Sequence, residues 1–182
     1  MNKFTSPLLL TFLMWVLLSS CGSADSSSSS LPKSDAEIIT SGQNHWEYSI
    51  SEDKMNSSIR KIAYLNSSNL LEFDFPYDGG SYGTISIRKE NGRTDILFKI
   101  SKGQFLSNVM DGVPVRLKFD DQKAITCTGT MPADYSSDVM FLSPTKTIIK
   151  KLKKSKKLYL EAGYYQSGNQ VLEFDVSGFK WN

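Results

Sequence analysis

Histidine and cysteine are nearly absent from this chain: of 182 residues, one is histidine (His45) and two are cysteines (Cys21 and Cys127). So few donors cannot supply the close-spaced His and Cys ligands of a zinc site, so no metal or other cofactor is expected. His45 stands beside Trp46 with no serine or cysteine motif attached, which leaves a nucleophile–base pair without support. An excess of charge of one sign is missing too, with 21 Lys and Arg against 19 Asp and Glu. A nucleic-acid binder needs a basic stripe to neutralise phosphates, so nucleic acid is not an expected partner. The glycine-rich stretch Phe75-Pro76-Tyr77-Asp78-Gly79-Gly80-Ser81-Tyr82-Gly83 lacks both the Lys-Ser/Thr pair and the following helix of a phosphate cradle.

What is present begins at the N-terminus. Residues 8–18 form an apolar run, preceded by Lys3 and followed by Ser19, Ser20 and Cys21. The run falls short of the roughly 20 residues that a membrane-spanning helix needs, so it reads as a secretory signal. The small-small-Cys ending resembles the lipobox of bacterial lipoproteins. That resemblance implies cleavage before Cys21 and lipid attachment to its sulfur and new amine, giving a firm membrane anchor. Gly22, and not Asp, follows Cys21. The resemblance therefore implies the outer membrane, with the protein facing the periplasm. Removing residues 1–20 takes away only Lys3 among charged residues, so the formal net charge falls from +2 to +1. Residues 21–43 include five consecutive serines, Ser26 to Ser30. Such a tract buries no core and predicts a flexible tether spanning about 25 Å, from about 5–6 Å × √n. Residues 44–182 remain for one β domain.

Period-two alternation dominates that domain, as half-buried strands require. It is found in Trp46/Tyr48/Ile50, Leu71/Phe73/Phe75, Ile85/Ile87, Ile96/Phe98/Ile100, Val113/Val115/Leu117/Phe119, Leu158/Leu160/Ala162/Tyr164 and Leu172/Phe174/Val176. Asp78-Gly79-Gly80-Ser81, Asn91-Gly92, Asp111-Gly112 and Ser167-Gly168-Asn169 supply turn chemistry between the runs. The expected fold is all-β: an antiparallel β-sandwich, or small barrel, with one short lysine-rich helix. Ser143-Pro144 predicts the helix start, with Ser143 as cap and proline in the first turn. Ile148, Ile149 and Leu152 give that helix a narrow apolar stripe. Cys127 lies in a strand-like run and is expected to be a buried, inert thiol, with no partner once Cys21 is acylated.

Three groups of residues are candidates for function. Tyr77, Asp78 and Tyr82 flank or form a turn that serves either as a plain hairpin connection or as a recognition loop. Lys150, Lys151, Lys153, Lys154 and Lys157 belong to a cluster that is either a solvated helix face or a contact for anionic lipid or an acidic partner. The words Leu71-Glu72-Phe73-Asp74-Phe75 and Leu172-Glu173-Phe174-Asp175-Val176 place paired carboxylates on one strand face. Such pairs either keep a sheet face soluble or act on a glycoside.

The order of Trp46, Phe73-Asp74-Phe75-Pro76-Tyr77, Ile85-Ser86-Ile87-Arg88, Val115-Arg116-Leu117-Lys118-Phe119-Asp120, Ser136-Ser137 with Phe141 before the lysines, and Phe174-Asp175-Val176-Ser177-Gly178-Phe179 is similar in layout to the VasI family of type VI secretion-associated envelope proteins. The resemblance spans residues 44–182 and implies a non-enzymatic envelope protein with no catalytic residue. The expected role is a lipid-anchored periplasmic binding or accessory protein that presents loops to an envelope protein partner. An immunity, inhibitor or phage-exclusion lipoprotein that blocks a toxin or periplasmic enzyme is the rival, and a carbohydrate hydrolase the third reading.

Overall fold

Alternation becomes a strand where a neighbouring segment can pair with it. In the computed structural model, which describes residues 45–55, 57–107 and 111–182, it does so repeatedly. The signal peptide, Cys21 and the serine-rich tether all lie outside the described residues. The strands are β1 (Glu47–Asp53), β2 (Ser58–Asn66), β3 (Gly83–Glu90), β4 (Arg93–Ile100), β5 (Val113–Phe119), β6 (Ile125–Thr130), β7 (Val139–Ser143), β8 (Lys157–Tyr164) and β9 (Gly168–Asp175). A single helix, α1 (Thr145–Leu152), separates β7 from β8 among the described residues. All the pairings are antiparallel. They give one open sheet in the order β1-β2-β3-β4-β7-β6-β5-β8-β9. The expected all-β architecture with one short helix is what the chain adopts.

The sheet doubles over, so that its two halves face each other across one core. Phe98 on β4 meets Phe174 on β9 edge-on at 6.5 Å, although the two strands are not ladder neighbours. Ile85, Ile87, Ile96, Leu117, Leu160 and Leu172 fill the space between the halves and are fully buried. Among the described residues no strand pairs with the outer edge of β9; a loop covers part of it. Asn69 donates its Nδ2–H to Val171 O (3.1 Å) and accepts the Glu173 N–H at its Oδ1 (2.8 Å), while Ser68 N–H donates to Glu173 O (2.7 Å). These bonds occupy the groups through which an edge strand would otherwise pair with another chain. The C-terminal segment closes another side: Trp46 Nε1–H donates to Val176 O (3.2 Å), and the Trp46 ring lies 4.4 Å from Phe179.

Four sequence-based expectations need correction. Trp46 is buried but precedes β1, whereas Tyr48 and Ile50 are exposed, because the β1–β2 hairpin forms the sheet edge and runs past the core. Leu71 and Phe73 are buried, but residues 71–75 form no strand and make only the isolated bridge Leu71–Ser81. There the chain turns at Asp74–Tyr77, the Tyr77 N–H donating to Asp74 O (3.0 Å), and Phe75 swings outward to 88% exposure. Ser143 does not cap the helix: it ends β7 opposite Thr128. The residue before a proline is biased away from helical ψ, which keeps Ser143 in the strand, and Pro144 takes the cap position in extended backbone, without a side-chain bond to the helix. Finally, Lys157 belongs to β8, so the lysine run is shared among helix, turn and strand.

Cys127 is buried, as expected, and burial raises its thiol pKa from 9.0 to about 11. A thiol-specific reagent at pH 8 should therefore leave the native protein unlabelled and react stoichiometrically after denaturation. The linkage has a definite sign. The raised pKa keeps the contribution of the protonated thiol intact below pH 9, and stability declines as pH rises from there towards 11.

Candidate functional site

Loops from distant parts of the chain meet at the end of the sheet where β4 and β8 finish. The segment between β2 and β3 is pinned there by Ser81, which is fully buried. Its hydroxyl donates to Lys102 O (2.6 Å), and the Lys102 N–H returns a bond to Ser81 Oγ (3.0 Å). The segment after β4 then pairs with the end of β8: Leu106 N–H donates to Gly163 O and Tyr165 N–H to Gln104 O, both at 2.9 Å.

Between these segments lies a cavity of about 150 Å³. Phe73 and Tyr164 form its inner part, with ring centroids 5.2 Å apart, and the Tyr164 ring continues to Phe105 at another 5.2 Å. Gly103 makes this packing possible: it adopts φ +111°, and a Cβ there would lie 2.9 Å from the Phe73 ring. Tyr77 is half-buried at the wall, while Phe75 and Tyr165, exposed at 88% and 57%, stand at the mouth. Gln104, Gln166 and Asp74 supply polar groups.

One residue of the lining breaks an ordinary rule. The Tyr164 hydroxyl is buried and has no hydrogen-bond partner among the described residues, and burial drives its pKa upward, so it stays a neutral donor. Buried polar groups are paired in the great majority of cases, and leaving one unpaired costs about 1–3 kcal/mol.

The three residues expected in the recognition turn separate. Tyr77 lines the cavity. Asp78 is exposed, and its carbonyl accepts from Lys102 Nζ (2.8 Å), which also reaches Gly79 O (3.3 Å), so that the turn is held from beneath. Tyr82 is half-buried, its phenol pKa raised by burial, and its backbone exchanges bonds with Ser101 instead of facing Tyr77. Phe73, Phe75, Tyr164 and Tyr165 are the site residues that sequence reading missed. The signals were a third aromatic beside Pro76 and a tyrosine pair at a strand end.

The lysines also divide. Lys151 donates to Gln122 Oε1 (2.8 Å) and sits 5.5 Å over the Phe119 ring. Lys157 enters β8, its neighbour Asp175 drawing it into the local charge balance. Lys150 and Lys153 instead line a groove of about 560 Å³ with Lys146 and with Lys89 from β3. Lys154 is exposed in the turn after the helix. The carboxylate words do not converge: Asp74 lines the loop-end cavity, whereas Glu173 and Asp175 border a separate space of about 60 Å³. The Asp175 carboxylate is taken up by the Ser177 hydroxyl and N–H, which lower its pKa.

No protein-family model matches the chain, and the curated proteins contain no match to it. Among solved structures, the chain is similar to invasion-associated protein B from Bartonella henselae. The identity is 17%, covering 72% of this chain and 85% of that chain, with a TM-score of 0.43.

Proposed function

We propose that this chain is a lipid-anchored periplasmic binding protein, an accessory of the cell envelope that engages a protein partner through its loop end. The aromatic-mouthed cavity, lined by Phe73, Tyr164 and Tyr165, carries the reading. A volume of about 150 Å³ lies well below the roughly 300–1,000 Å³ of sites for drug-sized molecules. It suits a single side chain delivered by a partner, with Phe75 and Tyr165 as the apolar contacts around it. Interfaces concentrate their energy in such buried aromatic positions. The lipobox-like Cys21 supports an envelope setting, and the resemblance to VasI-like proteins suggests the class of partner.

Two experiments test this reading. Affinity purification of the intact lipoprotein from native membranes should recover an envelope protein that Phe75→Ala and Tyr165→Ala lose, with melting temperatures unchanged. Tyr164→Phe should leave stability equal or raised, by up to about 1–3 kcal/mol, in thermal or denaturant unfolding. Equal recovery by the wild type, Phe75→Ala and Tyr165→Ala would remove the loop end from the interaction. For the anchor, Cys21→Ser should move the protein from the membrane fraction to the soluble or precursor pool. Unchanged partitioning, with no palmitate incorporated by the wild type, would overturn the lipoprotein reading.

A further inference from the structure

A second surface, apart from the loop end, carries charge that the fold itself leaves unbalanced. Lys146, Lys150 and Lys153 recur at i, i+4 and i+7 and line one groove together with Lys89. Like charges four residues apart on a helix oppose its formation. No acidic side chain lines the groove, and none of the four lysines forms an ion pair among the described residues. Asn182 also borders it. The groove contains apolar surface as well, from Ile149 and the half-buried Trp181. Trp181 stacks on Phe179 at 6.4 Å, and Phe179 lies 4.4 Å from Trp46, at the start of the described domain. A short run of rings therefore joins Trp46, near the start of the described residues, to the groove.

We propose that this groove is a docking surface for anionic phospholipid, with the four lysines receiving headgroup phosphates and Trp181 reaching the interfacial region. Charge complementarity argues for an anionic surface, since repulsion among the lysines is relieved only when phosphates stand between them. A tryptophan among lysines is the combination that membrane interfaces favour, because its ring is apolar and its N–H polar. The setting rests on the lipid-anchor reading: a tether of about 25 Å keeps the domain close enough for a weak contact to form repeatedly. The chemistry of the groove does not depend on the loop-end partner. Bound in this way, the domain would be held against the bilayer at its lysine-rich end.

The test uses the chain from residue 21 onward carrying Cys21→Ser, so that no acyl chain contributes. Co-sedimentation is measured with phosphatidylcholine vesicles, with and without phosphatidylglycerol. Binding should require phosphatidylglycerol and fade with added salt as screening predicts. Each groove lysine should contribute about fivefold to partitioning, equivalent to about 1 kcal/mol, so Lys146→Gln/Lys150→Gln should bind more than tenfold more weakly. Lys151→Gln/Lys157→Gln, which removes equal charge outside the groove, should change binding less than twofold, and both variants should melt with the wild type. Binding should also shift the tryptophan emission to the blue, a shift that Trp181→Phe abolishes. Equal losses in the two double variants, or a shift that survives Trp181→Phe, would overturn the groove as the contact. Full competition by millimolar glycerol phosphate would reassign it to a free phosphate ligand, and tighter binding to an acidic peptide than to vesicles would reassign it to a protein. Loss of vesicle binding with intact loop-end recovery, or the reverse, separates this proposal from the partner reading.

Discussion

Phe174→Ala should lower the unfolding free energy by about 3–5 kcal/mol, read as a shift in the denaturant midpoint at constant slope. The ring is 2% exposed on β9 and meets Phe98, itself fully buried, across the core at 6.5 Å. Removing it takes away the burial of a large apolar side chain and leaves a cavity walled by both halves of the sheet, which cannot collapse without moving strands. Phe73→Ala should also destabilise, since that ring is 8% exposed and packs on Tyr164 and Gly103. Phe75→Ala should leave stability nearly unchanged, because the ring is 88% exposed. These aromatics share one sequence alternation, so a uniform response across Phe73 and Phe75 would restore the strand that the structure lacks there.

That contrast shows what alternation can and cannot reveal. The pairs β3–β4 and β8–β9 were legible because both strands alternate and a short turn joins each pair. In β3–β4, Asn91 (φ 50°) and Gly92 (φ 76°) take the positive angles of a tight hairpin. Residues 71–75 alternate equally well, but the neighbouring chain offers them only the bridge at Ser81, and pairing is not written in a single segment. The reverse holds for β2, where Ile59, Arg60 and Lys61 are all exposed, so no face distinguishes itself in the half that lies beyond the core. Strand β7 is five residues long, too short for a period to be read. The loop-end cavity was invisible for a different reason. Its walls come from residues 73–77, 103–104 and 164–167, three segments brought together by the doubling of the sheet. Lys89 likewise joins the helical lysines only through the placement of α1 beside β4.

The doubling itself is open to measurement at Gly83, the first residue of β3. A Cβ at this position would stand 2.4 Å from Leu172 Cδ1 and 2.9 Å from Phe98 Cε2. Both neighbours are fully buried, so neither side chain has free space to turn into. Gly83→Ala should therefore cost about 1–3 kcal/mol through overpacking, although alanine suits strand backbone better than glycine does. The cause lies across the core, since five strands stand between β3 and β9 in the ladder order. Leu172→Ala alone should be destabilising by about 2–5 kcal/mol, but in its background the new methyl at position 83 finds room. The double variant should then be more stable than the sum of the single effects requires, with a coupling of about 0.5–3 kcal/mol. Denaturant unfolding of the four proteins supplies the cycle. Strict additivity would mean that the methyl at 83 and the leucine at 172 do not touch, which a flat sheet would give and a doubled one would not.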